Sequence, residues 1–197
     1  MKRIIAYITF FFLAGSLWGQ HYRIGDLYTA PDGSQGIIFY LHPDGSGGWV
    51  VALQDASSSC RWSQNTTIIP GLNHFLDQCD EWCLDAYQLV YADTAGYTNT
   101  QIIRSSLSTQ NSIAATVVDF QNGWYLPAIG QLLKLYASRP FIEQEIIAAG
   151  GSFPAGQYWS STLQNNNHAW MITYGRPGDM PRQLRIYKDR HHYKDFD

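Results

Sequence analysis

The chain has 197 residues and a formal net charge of −3, and charged and aromatic residues each make up 15% of it. This length is enough for one domain with a sizeable core, and it leaves no room for a second large domain. The composition is not strongly basic, so we expect no nucleic-acid partner.

Residues 1–19 have the pattern of a signal peptide. Two basic residues, Lys2 and Arg3, precede an apolar run over 4–13. Small residues follow this run and place the predicted cleavage after Ser16 or after Gly19. The alternative is an uncleaved membrane anchor, but the run is shorter than the roughly 20 residues that a spanning helix needs.

The rest of the chain, residues 20–197, is predicted to form a single domain. It has no second apolar stretch of spanning length. We therefore expect a protein that is secreted, periplasmic or exposed at the cell surface, and that is not integral to the membrane after cleavage.

The chain has three cysteines, Cys60, Cys79 and Cys83. Because an exported protein meets an oxidising environment, these residues are disulfide candidates. A bridge from Cys60 to one of the other two is favoured because it closes a loop of about 20 residues. The alternative is that all three thiols are reduced and buried. A zinc site would need a fourth ligand that the spacing does not offer, so we expect no metal and no cofactor.

The first predicted element is a β-hairpin. Residues 36–41 and 49–53 are β-prone runs, and the glycine-rich segment 43–48 between them is typical of a turn. Apolar residues at helical spacing then predict a helix over 74–91 and a second one over 100–107. The period of residues 113–120 leaves helix and strand open.

Pro127 is placed to begin another helix, because a proline lacks only an N–H that the first turn does not use. Ser138-Arg-Pro140 is expected to end it, and a further short helix is expected over 141–149. Residues 158–160, 169–174 and 182–187 are predicted to be strands. Strands at both ends and helices between them indicate an α+β domain.

Three motifs in this order resemble a known family. They are Asp93 with Gly96-Tyr-Thr-Asn-Thr100, then Gly123-Trp-Tyr-Leu-Pro127, then Tyr158-Trp-Ser-Ser-Thr162. Together they are similar to the domain at the C-terminus of a bacterial collagen-like adhesin. The resemblance implies a C-type-lectin-like fold, related to the formylglycine-generating enzymes. Such a fold has a small twisted antiparallel sheet, two or three helices and long loops.

The family resemblance also implies adhesion to sulfated polysaccharides. Two departures limit what is carried over. The usual final strand, Val-Arg-x-Val-Arg, is replaced here by the charged segment that follows Tyr187. The carboxylate motifs of calcium-dependent lectins are absent, and no cysteine follows Cys83, so neither a calcium site nor the related enzymes' chemistry is expected. We predict no catalytic residues.

Candidate binding residues lie in the loop before the second-last strand. Asn165, Asn167 and His168 offer amides and an imidazole beside Trp170, a mixture that suits hydroxyl-rich ligands. The alternative is an exposed polar turn. The motif residues Trp124, Tyr125, Tyr158 and Trp159 would make a stacking platform, but aromatic residues of such a framework are more typical of a core.

A basic segment completes the predicted site. From Arg176 to the end there are six bases and four acids, whereas from Asp26 to Asp93 there are nine acids and one base. Four arginines are the candidate contacts for sulfates or carboxylates, whose shape matches a guanidinium fork: Arg176, Arg182, Arg185 and Arg190. The alternative is a solvated terminal hairpin.

These features predict a non-enzymatic binding or adhesion domain for glycans or polyanionic polysaccharides. The alternative is a structural or protein-interaction module of a bacterial surface assembly. A hydrolase-like activity would need a cleft with a strongly perturbed acid or histidine, for which the sequence offers no motif.

Overall fold

The computed structural model describes residues 3–4, 8–12, 21–65, 68–72, 74, 92–174 and 182–187, with the backbone alone for 3–4, 9–12 and 182–187. Among these residues, two helices, α1 and α2, and nine strands are described. The helices are α1 (Gly96–Ser106) and α2 (Ile129–Ala148), and a 3₁₀ turn spans Phe120–Asn122. The strands are β1 (Arg3–Ile4), β2 (Ile8–Phe12), β3 (Leu27–Thr29), β4 (Gln35–Leu41), β5 (Gly47–Ala52), β6 (Trp124–Tyr125), β7 (Gly156–Leu163), β8 (His168–Tyr174) and β9 (Arg182–Tyr187).

The larger sheet has five strands in the order β3-β4-β5-β2-β6, and its pairs are antiparallel. The predicted hairpin is confirmed as β4 and β5. Its turn is closed by the His42 N–H, which donates to the Gly47 carbonyl at 2.8 Å. Gly45 lies at φ +72°, a conformation that glycine adopts without strain. The glycine-rich segment therefore forms the turn of the hairpin, as its sequence predicts.

The smaller sheet has four strands in the order β1-β7-β8-β9, with β1 parallel to β7 and the other pairs antiparallel. Alternation along the strands divides their side chains between two clusters. Tyr158 and Trp170 pack against α2 on one face, whereas Trp159 and Met171 face the other side, towards α1. Both faces of this sheet are covered, which explains its nearly unbroken burial.

Helix α2 lies between the two sheets. Leu132 and Leu133 pack on the smaller sheet, and Leu135, Ile142 and Ile146 pack on the larger one. The helix continues through Pro140, so the expected break at 138–140 and the separate helix over 141–149 are wrong. Burial of Ile142 and Ile146 outweighs the single backbone hydrogen bond that the proline removes.

Helix α1 begins at Gly96, four residues before the predicted start at Thr100. Its first turn has no side-chain cap, and its buried face is formed by Gly96, Thr100 and Ile103. Ile113 forms an isolated β-bridge with Arg61, and turns and bends follow over 114–118, so residues 113–119 form neither of the two elements left open for this segment. The expected turn at Gly123, at φ +87°, and the short strand after it are confirmed.

Strand β2 falls inside the predicted signal peptide. It lies between β5 and β6, with Ile8 opposite Val51 on one side and Tyr125 on the other. The Ile8 side chain is fully buried. Signal-peptide cleavage stays a prediction, and it would remove an internal strand of this sheet.

The predicted α+β class is confirmed, and the described residues form two helices and two small sheets where one sheet was expected. The likeness to C-type lectins stays an expectation. Cys60 is buried, whereas Cys79, Cys83 and nearly all of the predicted 74–91 helix lie outside the described residues. Within the described part of the chain, no helix is both long enough and apolar enough to cross a membrane.

Candidate functional site

A cavity of about 500 Å³ opens where the β4–β5 hairpin meets the start of α1. This volume is within the usual range for small-molecule sites. We call it the aromatic pocket. It is lined by His42, Trp49, Thr94, Ala95, Tyr97, Thr98, Gly123 and Tyr125.

Two of the aromatic rings that line the pocket each stack on a second aromatic ring outside it. Trp49 stacks on Tyr40 with ring centroids 4.5 Å apart, and the Lys134 ammonium lies 4.7 Å from the Tyr40 centroid. A ring has little freedom to move when it stacks on a second ring that also contacts a cation. The stacking of Trp49 on Tyr40 therefore restricts the movement of the Trp49 side chain in the pocket wall.

The Tyr97 wall has the same construction. Tyr97 stacks on Phe120 with centroids 4.8 Å apart, and the Arg104 guanidinium lies 5.4 Å from the Phe120 centroid. Arg104 is fixed in turn, since it donates to the Ala115 carbonyl at 2.9 Å. Tyr97 keeps 47% of its surface exposed, so its ring is both fixed and accessible.

Tyr125 forms the buried end of the pocket. Its ring meets Tyr97 edge-on at 5.8 Å, and its hydroxyl accepts a hydrogen bond from Gln131 Nε2 at 2.8 Å. Burial raises the pKa of the Tyr125 phenol above its ordinary value, so the group stays neutral over the physiological range. This end of the pocket is uncharged.

The carboxylate of Asp93 fixes the loop that carries Thr94 and Ala95. Its Oδ1 accepts the Ala95 N–H at 3.0 Å, and its Oδ2 accepts the Thr162 hydroxyl at 2.6 Å. Asn99 Nδ2 also approaches this oxygen, at 3.4 Å. The buried carboxylate is thereby satisfied by donors from its own loop, from α1 and from β7.

Helix α1 is tied to β6 and α2 by a second set of contacts. The Thr100 hydroxyl accepts the Leu126 N–H at 3.0 Å and donates to the Gly96 carbonyl at 2.7 Å. Gly96 has no Cβ, and a Cβ there would overlap Gln131 Oε1 and lie 2.7 Å from the Tyr125 ring. The motifs that carry the family resemblance therefore build the wall of the pocket.

The chemistry of the pocket combines flat apolar rings with polar hydroxyl and imidazole groups. Thr94, Thr98 and His42 offer hydroxyl and imidazole groups around the rings of Trp49 and Tyr97. Among the described residues that line it there is no carboxylate. Such a surface matches a ligand that has an apolar face and a rim of hydroxyls.

The predicted loop residues lie elsewhere, in the turn between β7 and β8. Asn165 Oδ1 accepts the backbone N–H groups of Asn167 and His168, at 2.8 and 2.9 Å, and also lies 2.9 Å from His168 Nδ1. These contacts are those of a polar turn that closes on itself. Asn167 is exposed, and Asn165 and His168 are half-buried, so the binding role of this loop stays a prediction.

Trp170, a predicted binding residue, lies in the core, and its role in binding stays a prediction. Only 5% of its surface is exposed, and it packs with Ile129, Leu132 and Ile172. Strand alternation does place it opposite Met171, but α2 covers that face as well. The other platform candidates are likewise core residues: Trp124, Tyr125, Tyr158 and Trp159.

Of the basic segment that begins at Arg176, the structure describes only the backbone of residues 182–187. Arg182 and Arg185 lie on β9, opposite Thr173 and Trp170 of β8. Arg176 and Arg190 lie outside the described residues. The proposed grip of these four arginines on sulfates or carboxylates stays a prediction.

Sequence reasoning missed most of the pocket. His42, Trp49, Thr94, Tyr97 and Thr98 were not predicted as site residues. The available signal was the motif that begins at Asp93, in which the exposed Tyr97 and Thr98 lie between the buried Gly96 and Thr100. In the part of the chain that the structure describes, no cluster of three or more His, Cys, Asp or Glu could hold a metal ion.

Comparison with known proteins identifies a shared fold. A solved structure of a fimbrial protein from Bacteroides ovatus is similar to this chain, with a TM-score of 0.54 and 16% sequence identity. The match covers 86% of this chain and 47% of the fimbrial protein, so this chain spans about half the length of that structure. No protein-family model and no curated protein matches the sequence.

Proposed function

We propose that this protein is a non-enzymatic binding module of the bacterial surface that takes a sugar ring of a glycan into the aromatic pocket. The observation that carries the proposal is the ring of Tyr97, which stacks on Phe120 and keeps 47% of the residue's surface exposed, next to a buried wall formed by Trp49. A sugar ring presents C–H groups on its faces and hydroxyls at its edge. Rings held in advance stack on such a face with little further loss of side-chain entropy.

The polar residues of the pocket supply the second half of the recognition. Thr94 and Thr98 lie beside Tyr97, and His42 contacts Trp49 edge-on with ring centroids 5.4 Å apart. Hydroxyl and imidazole groups donate and accept hydrogen bonds, as sugar hydroxyls do. A few such groups around an apolar pocket select the orientation of the ligand.

The charges near the pocket favour a neutral sugar over a polyanion as its ligand. The two nearby cations, Lys134 and Arg104, contact the rings of Tyr40 and Phe120. Neither cation is among the residues that line the pocket. Binding in the pocket should therefore depend weakly on salt. Binding of a sulfated chain by the basic segment would instead weaken steeply as ionic strength rises.

A glycan array probed with the purified protein tests this proposal, first at about 50 mM and then at about 500 mM salt. We expect neutral glycans to be retained at both concentrations. Retention of sulfated glycans alone, lost at the higher salt, would move recognition to the basic segment. Absence of all glycan binding at both concentrations would contradict the proposal.

The second candidate function is a module of a surface assembly. It is favoured by the fold shared with a fimbrial protein over 86% of this chain. At 16% identity this likeness concerns the fold, so the role itself is a proposal. Purification of a stable complex from the cell surface, without any glycan ligand, would favour assembly over glycan binding.

A further inference from the structure

The place of β2 in the larger sheet has a consequence if residues 1–19 are a signal peptide. We propose that removal of these residues turns the gap between β5 and β6, here called the β2 slot, into an acceptor site for a strand of another protein chain. The proposal concerns assembly, and its argument does not depend on glycan binding. It rests on the predicted cleavage together with the observed register of β2.

The backbone of the slot needs a partner on both sides. β2 runs antiparallel to β5 from Ile8, opposite Val51, to Phe12, opposite Gly47. It also pairs with Trp124 and Tyr125 of β6. Without a strand in this position, two facing rows of backbone N–H and C=O groups would lose their partners inside the sheet.

The core needs a side chain at the same place. Ile8 is fully buried in the cluster that contains Ile37, Val51, Tyr125 and Leu135. Cleavage of the signal peptide would leave a cavity in this cluster and expose its apolar walls. Protein cores are close-packed and rarely contain a void as large as an isoleucine side chain. We therefore expect an apolar side chain to replace Ile8.

These constraints define the incoming strand. It spans about five residues, lies antiparallel to both β5 and β6, and carries an aliphatic residue at the level of Val51 and Tyr125. Alternation then places every second residue on the same face. The strand should be uncharged on that face, because a charge buried there would lie among apolar side chains.

The chain's own C-terminal segment does not match this description. Residues 188–197 read Lys-Asp-Arg-His-His-Tyr-Lys-Asp-Phe-Asp, with six charged residues among ten. Its Tyr193 and Phe196 are three positions apart, so a strand would direct them to opposite faces. A strand from another chain is therefore the occupant that we propose.

The slot also contacts the glycan site. Trp49 and Tyr125 line the aromatic pocket, and the same two residues lie opposite Phe10 and Ile8 in the register of β2. A strand in the slot would hold both pocket residues in place. Assembly and ligand binding would thus be coupled through two shared side chains.

Peptide exchange tests the acceptor site directly. The full-length chain is produced with a specific protease site in place of residues 13–19, and it is cut after folding. A fluorescent peptide of residues 6–14, flanked by lysines for solubility, is then added, alongside a matched peptide with Ile8→Asp. The purified chain 20–197 is refolded with each peptide as a second measurement.

We expect the wild-type peptide to enter the cut protein and to raise the melting temperature of refolded 20–197. The Ile8→Asp peptide should bind at least about tenfold more weakly, because it would bury a carboxylate in the core. Equal binding of both peptides, or no binding by either preparation, would overturn the proposal.

Two observations on the exported protein are equally decisive. Mass spectrometry should find the N-terminus at residue 17 or 20, and retention of residues 1–19 would overturn the proposal because the slot would be filled already. Hydrogen exchange should then find those amides of residues 47–51 that face the β2 slot unprotected in the isolated monomer, whereas the alternate amides, which face β4, stay protected. Full protection of these amides would mean that the chain fills the slot by itself, which also contradicts a partner strand.

Discussion

The hydroxyl of Thr162 donates a 2.6 Å hydrogen bond to the carboxylate of Asp93, across 69 positions of the chain. The same hydroxyl oxygen accepts the Ile129 N–H at 2.9 Å, at the start of α2. One side chain therefore connects β7, the pocket loop and the first turn of a helix. Two of the motifs that carry the family resemblance meet at this contact.

Replacement of Thr162 by valine should destabilise the protein by about 2–4 kcal/mol. The two residues are nearly the same size, but valine leaves both the Asp93 carboxylate and the Ile129 N–H short of a partner in a buried site. Chemical denaturation measures the change in the free energy of unfolding. Thr162→Ser keeps the hydroxyl and should lose less than half as much, and an equal loss in both variants would disprove the role of the hydrogen bonds.

Gly96→Ala should destabilise the protein, although alanine is normally the better helix former by about 1 kcal/mol. A Cβ at this position would overlap Gln131 Oε1 and lie 2.8 Å from the Ala128 nitrogen. We expect a net loss of about 1–3 kcal/mol from this overpacking. Ser106→Ala, at an exposed site of the same helix, is the control and should be neutral or slightly stabilising.

Pro140→Ala should stabilise the protein by about 1–2 kcal/mol. Pro140 is exposed within a continuous α2, so alanine restores one backbone hydrogen bond without disturbing the core, and a more flexible unfolded chain offsets part of the gain. Thermal and chemical unfolding measure the effect, with Gln144→Ala as a nearby exposed control. If residues 138–140 separated two helices, the proline would begin the second one, and its replacement would give no gain.

Asp55 predicts a pH dependence of stability. Its side chain is exposed overall, but partial burial of the carboxyl beside Tyr158 raises its pKa from 3.8 to about 6. Because the folded-state pKa is the higher one, the stabilisation is complete below about pH 4 and is lost as the pH rises through about 6. Water screens an exposed group, so we expect a loss of about 0.5–1 kcal/mol.

Asp55→Asn removes this titration. The free energy of unfolding of the variant should change less between about pH 4 and pH 7 than that of the wild type. Paired denaturation curves at several pH values provide the measurement. Parallel pH profiles for the two proteins would show that Asp55 does not titrate in this range.

The sequence predicts those parts of the fold that depend on local pattern. The β4–β5 hairpin follows from two β-prone runs around a glycine-rich turn, and β6 follows from the residues before Pro127. The path of α2 through Pro140 does not follow from local pattern. It depends on burial of Ile142 and Ile146 against a sheet that is built from distant residues.

The pocket was harder to predict for a related physical reason. Its walls come from residues 42–49, 94–98 and 123–125, which only the fold brings together. Aromatic residues in these segments are consistent equally with a core or with a site. Tyr97 differs from Trp124 by its exposure alone, 47% against 1%, and exposure is set by the packing around each ring.

The binding of one neutral glycan by the wild type and two variants tests the central claim most directly. Calorimetric titration of the strongest array ligand compares the wild type, Tyr97→Ala and Phe141→Ala, since Phe141 is an equally aromatic residue, 71% exposed and not among the residues that line the pocket. We predict that Tyr97→Ala weakens binding at least about tenfold, as loss of a stacked anchor does, whereas Phe141→Ala binds like the wild type. Unchanged affinity in a folded Tyr97→Ala variant would contradict glycan binding in the aromatic pocket.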